Sequence, residues 1–82
     1  MAFEFSFKDT PENLLTKIEK AIAKRDGKLT GNEKEGTIEI PTPVGNVSVS
    51  YLIEGQNVNV KILEKPMFIP EEMIKNEILK MI

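Results

Sequence analysis

A chain of 82 residues with 40% hydrophobic and 29% charged side chains suits one small core and a single domain, residues 1–82, and lies far from the hydrophobic-poor signature of disorder. Cysteine and histidine are both absent, which excludes disulfides, thiolate metal sites and the commonest general base, and gives no ground to expect a cofactor or a metal. A net charge of -2 argues against nucleic acid as a partner, because phosphate backbones select basic surfaces.

Phe3, Phe5 and Phe7 alternate with Glu4, Ser6 and Lys8, the period-two pattern of a half-buried strand. No continuous apolar run of a signal peptide occurs there, so a cytoplasmic location is the default expectation. A helix begins next, either with Thr10 as its cap and Pro11 at its first position, or with Asp9 as cap and Glu12 completing a capping box. Leu14, Leu15, Ile18, Ala21 and Ile22 recur at helical spacing. The spacing predicts a helix from about Pro11 to Asp26, with Gly27 as its left-handed terminator.

Lys28 to Asn32 reads as a short strand with Leu29 as its one large apolar residue, followed by the polar stretch Glu33-Lys34-Glu35. Ile38 and Ile40 alternate with Thr37 and Glu39 up to Pro41, which cannot donate to a sheet ladder and belongs at an edge or strand end. Pro41 to Gly45 reads as a turn. Val47, Val49, Tyr51 and Ile53 line one face of the clearest strand, and Val58, Val60 and Ile62 repeat the pattern after Glu54-Gly55-Gln56-Asn57. Pro66 ends this series, and Pro70 with Glu71 and Glu72 opens a second helix whose apolar face holds Met73, Ile74, Ile78, Met81 and Ile82. No capping residue follows that helix, so its tail is expected to dock on something. Its charged residues also interrupt any run long enough to span a membrane.

The order β-α-β-β-β-β-α with hairpin connections implies an α+β fold, a mainly antiparallel sheet of four to five strands with two helices on one face. Tyr51 and the alternating Val and Ile residues would face the helices, leaving Thr37, Glu39, Ser48, Ser50, Leu52, Asn57, Asn59 and Lys61 on the polar side.

No residue pattern identifies a catalytic group. Glu33 and Glu35 lack the ligand pattern of a calcium loop, while Glu71 and Glu72, which with Glu77 form the other acidic set, sit where a helix dipole favours acids in any case. Lys17, Lys20 and Lys24 fall at helical spacing beside Arg25 and Lys28, a candidate anion-binding stripe set against the plainer reading of a solvated face at a helix C-terminus. The least ordinary feature is Met67-Phe68-Ile69 between two prolines, continued by Met73 and Met81. Adaptable, methionine-rich surface of this kind suits an apolar partner or a homodimer, against the plainer reading that it caps the core.

From Thr10 onward the sequence resembles a family of short bacterial proteins, the polyhydroxyalkanoic acid system family. The residues that carry this are the amphipathic helix ended by Gly27, the Gly31-Asn32 turn, Gly45 before Val47-Ser48-Val49, the strand Val58-Asn59-Val60-Lys61-Ile62, and Ile74 with Ile78. Leu29-Thr30 stands where that family has an aromatic residue. The resemblance implies a non-enzymatic accessory role at polyester storage granules and offers no catalytic residue. The leading expectation is accordingly a small binding or accessory protein acting through Met67 to Ile69 and the terminal helix. The alternative is a carrier that grips a small apolar ligand between the sheet and that helix. The carrier reading demands a cavity of roughly 300 Å³ or more, which a chain this short is not expected to spare.

Overall fold

The computed structural model describes residues 2–81. Strand β4 (Gly45–Glu54) pairs on one side with β5 (Asn57–Glu64) and on the other with β3 (Glu35–Thr42), while β1 (Ala2–Ser6) lies outside β5 and β2 (Lys28–Gly31) outside β3. Every neighbouring pair is antiparallel, giving five strands in the order β1-β5-β4-β3-β2. Helix α1 (Pro11–Ala23) connects β1 to β2, and α2 (Glu71–Lys80) follows β5.

The registers put the alternating apolar residues side by side. Phe3 lies opposite Val60, Val60 opposite Tyr51, Val58 opposite Ile53, and Ile38 opposite Val49. Partners directly across a ladder share a face, so these residues form one apolar layer. Leu14, Ile18 and Ile22 of α1 and Ile74 and Ile78 of α2 bury against that layer, in a single cluster that also takes in Phe7 and Met81. Both helices therefore cover the same side of the sheet. Ser48, Ser50, Asn59 and Lys61 point the other way, together with the more exposed Leu52. One irregularity breaks the alternation: Val49 pairs with Ile62 but Ser48 pairs with Glu64. Leu63 is thereby bulged out of the ladder, half-exposed.

Three local details differ from expectation. Helix α1 ends at Ala23, earlier than Asp26, and the left-handed residue that follows is Asp26 (φ 57°) in place of Gly27. Aspartate tolerates this conformation because its short polar side chain bonds locally. Gly27 is required on other grounds: a Cβ there would stand 2.6 Å from Ile22 Cγ2 and 2.8 Å from the Glu39 carbonyl. Strand β3 continues through Pro41 to Thr42, which narrows the turn to Pro43-Val44. Its pairing with β2 stops at Glu39, so the missing N–H of Pro41 falls where β3 is an edge. The start of β3 at Glu35 is set by Asn32, whose side-chain oxygen accepts the N–H groups of Lys34 (2.8 Å) and Glu35 (3.0 Å).

Candidate functional site

Helix α2 lies beside the β3–β4 hairpin, and an open groove of about 620 Å³ runs between them, bordered along α2 from Met73 to Met81. Its floor is sheet: Ile38 and Ile40 from β3, Val47 and Val49 from β4. Met73, Ile74 and Ile78 of α2 form the opposite wall, and Ile69 from the β5–α2 connection completes it. This apolar space lies in the size range of ligand sites, roughly 300–1,000 Å³. It is an open cleft between the sheet and α2 and coexists with the packed core, some of whose residues line it. Val49 and Ile74 serve both, each burying part of its surface in the core while contributing to the groove.

The polar residues of the lining are Arg25, Thr42, Asn76, Glu77 and Lys80. Arg25, in the turn after α1, donates through Nη1 to the carbonyl of Ala21 (2.9 Å) and through Nη2 to Glu77 Oε2 (3.4 Å). Lys80 Nζ lies 3.5 Å from the other Glu77 oxygen. These partly exposed pairs contribute little to stability; the Arg25–Glu77 pair links the turn after α1 to α2. Arg25 and Glu77 are 52 residues apart in the chain, and no pattern in either helix announces their meeting.

The residues proposed for partner contact are divided by the fold. Met67 and Phe68 are 91% and 88% exposed, and Met73 is 54% exposed on the groove wall. Ile69 is half-buried. Met81 is a correction to the reading of it as exposed contact surface: at 5% exposure it packs in the core cluster with Ile74 and Ile78, and from there it also borders the groove. Ile82 lies outside the described residues. The Met67-Phe68 tip stands beside one end of the groove, since Pro66 abuts Gly45 of β4 and Ile69 lines the wall.

Lys17, Lys20 and Lys24 are exposed along α1. Lys17 sits 3.7 Å from Asp9 Oδ2. Asp9 itself is held below the usual carboxylate range, first by the Asn13 side-chain amide, then by the Thr10 N–H and Lys17. The phenol of Tyr51 is pushed upward by burial, with a smaller contribution from Glu19. Neither group lines the groove, and capping and packing account for both.

Among the described residues, no cluster of acids could hold a metal ion and no helix is long and apolar enough to cross a membrane. In comparison with known proteins, no family model, no curated protein and no solved structure matches the chain.

Proposed function

We propose that this chain is a non-enzymatic binding protein that holds a small apolar ligand in the groove between the β3–β4 hairpin and α2. The observation that carries this is the groove itself, about 620 Å³ with a largely aliphatic lining to which the paired Arg25, Glu77 and Lys80 also contribute. Apolar surface gathered into one concavity is the usual form of a small-molecule site. The test is a titration with 1-decanol followed by methyl NMR. Ile40, Val47 and Met73 should shift together and saturate, Ile53 on the far part of the sheet should not move, and Met73→Trp should block the response by filling the groove. The proposal fails if the lining methyls stay unmoved at the solubility limit of the alcohol, or move no more than Ile53.

A second reading is favoured by the exposure of Met67 and Phe68. Two large apolar side chains at a loop tip suit contact with an apolar protein or granule surface, the accessory role that the family resemblance implies. Phe68→Ser should then reduce retention on polyester particles while leaving decanol binding intact; equal retention of both proteins would count against it.

A further inference from the structure

We propose that the ligand of the groove is an amphiphile, an aliphatic chain that ends in a single negatively charged head group. The inference rests on the groove being a ligand site, as proposed above, and adds the charge that the ligand carries. Among the described residues, the titratable groups of the lining are Arg25, Glu77 and Lys80, two cations against one carboxylate. A purely apolar ligand leaves that excess unanswered, whereas one anionic group neutralises it.

The hydrogen bonds show the same shortage of acceptors. The Ala21 carbonyl holds Arg25 Nη1 at 2.9 Å, Nη2 reaches Glu77 Oε2 at 3.4 Å, and Lys80 Nζ stands 3.5 Å from Glu77 Oε1. One carboxylate is thus stretched between two cations, each at the long end of contact range. The remaining N–H groups of both cations meet no acceptor among the described residues and are left to solvent or a ligand. Helix C-termini favour basic residues, and the Ala21 bond expresses that preference at the end of α1. It explains why Arg25 stays in place, but it supplies no second anion. The Thr42 hydroxyl is spent on the Gly45 carbonyl within the β3–β4 hairpin, so the cations are left as the groups that can receive a charged head.

The α2 wall gives the ligand a direction. Met73 comes first, then Asn76 and Glu77, and Lys80 lies about 10 Å farther along the helix than Met73. A head group beside Arg25 and Lys80 therefore leaves its chain to run toward Met73 and Ile69, over the aliphatic floor of Ile40 and Val47. Glu77 does not bar the way. Its pairs are partly exposed and weak, so an incoming anion can take its place on either cation, and a planar carboxylate matches the guanidinium fork of Arg25. The whole chain has a net charge of -2, which repels anions at long range, so a preference for a negative head can come only from this local excess.

The experiment is a methyl NMR titration of the full chain near pH 7, where carboxylates are ionised, with decanoate, 1-decanol and decyltrimethylammonium, each kept below its micelle concentration. Decanoate should shift and saturate Ile40, Val47 and Met73 as the alcohol does, and should bind more tightly than the cationic probe. The ratio of decanoate to decanol affinity isolates the head group from the chain. It should rise about two- to fivefold in Glu77→Gln, which frees both cations, and fall by a similar factor in Lys80→Gln. Circular dichroism verifies that both variants fold, and the two opposite signs separate charge from damage to the groove. If the alcohol fills the groove while decanoate binds no better than the cationic probe, or if the ratio is the same in all three proteins, the negative head is overturned and the groove reading stands. If no probe moves the lining methyls, the groove is not a ligand site and both fall.

Discussion

The Tyr51 hydroxyl donates a 2.6 Å hydrogen bond to the carbonyl of Asn32, tying the middle of β4 to the β2–β3 turn. The link is possible because Gly36 leaves room for the ring: a Cβ there would lie 2.6 Å from the hydroxyl and 2.7 Å from Cε2, and would also meet the Thr30 carbonyl. Tyr51→Phe should cost about 1 kcal/mol, the net value of one hydrogen bond. Gly36→Ala should cost more, about 1–3 kcal/mol, because backbone as well as the ring must shift. In the double variant the losses should sum to less than their total, since the hydroxyl is part of the obstruction. Urea unfolding of the four proteins measures this, and strict additivity would show that the contact is not shared.

The same phenol predicts how stability changes in alkali. Burial raises its pKa above the ordinary 10.0, so the folded chain keeps this proton after the unfolded chain has lost it. Its contribution is complete below the unfolded value and disappears as pH rises through the folded one. Melting temperature should therefore fall between about pH 9 and pH 11, and less steeply in Tyr51→Phe; lysines titrate in this range as well, so the difference between the two proteins is the measurement. Equal slopes would mean that another group governs the decline.

Alternation and helical spacing are properties of single segments, and they were sufficient for the faces of the sheet: Val49, Tyr51 and Val60 are buried while Ser48, Ser50 and Asn59 lie opposite. What depends on two segments at once was less legible. The groove lies between α2 and the β3–β4 hairpin, two segments that only the fold brings together. The Arg25–Glu77 contact and the Pro66–Gly45 contact are of the same kind. Gly27 reads as a terminator by position, yet its purpose is clearance from Ile22 and the Glu39 backbone, which no local motif encodes. Met81 shares the helical stripe of Met73 and both border the groove, but Met81 is 5% exposed and Met73 54%.

Of the two caps that the sequence offers for α1, Thr10 is the one formed, and Asp9 supports it from outside the helix without the capping box to Glu12. Thr10 Oγ1 accepts from the Asn13 N–H (3.2 Å), while Asp9 Oδ1 accepts from the Thr10 N–H (2.7 Å) and the Asn13 amide (2.8 Å). Thr10→Ala should cost about 1 kcal/mol. Asp9 titrates below its ordinary 3.8, so its contribution is present above that value and is lost as pH falls through the lower, folded one. A carboxyl-carbon NMR titration should place the Asp9 midpoint below 3.8 and move it upward in Asn13→Ala, which removes the side-chain hydrogen bond that most favours the carboxylate. An unmoved midpoint would assign the shift to the backbone N–H and Lys17 instead.

Phe68 and Met81 give the sharpest contrast between surface and core. Phe68 is 88% exposed and Met81 5%, although both belong to the same apolar sequence at the end of the chain. Phe68→Ser removes little that is buried and should change unfolding free energy by no more than about 0.5 kcal/mol. Met81→Ser empties a space beside Ile74 and Ile78 and places a hydroxyl there, so it should cost about 2–5 kcal/mol. Urea titrations of the two variants decide the matter, and a comparable loss in both would mean that the tip at Phe68 packs on the protein. If the contrast holds, Phe68→Ser isolates surface contact from folding. A defect in Met81→Ser then says nothing about a partner, because loss of the α2 docking would abolish groove and surface together.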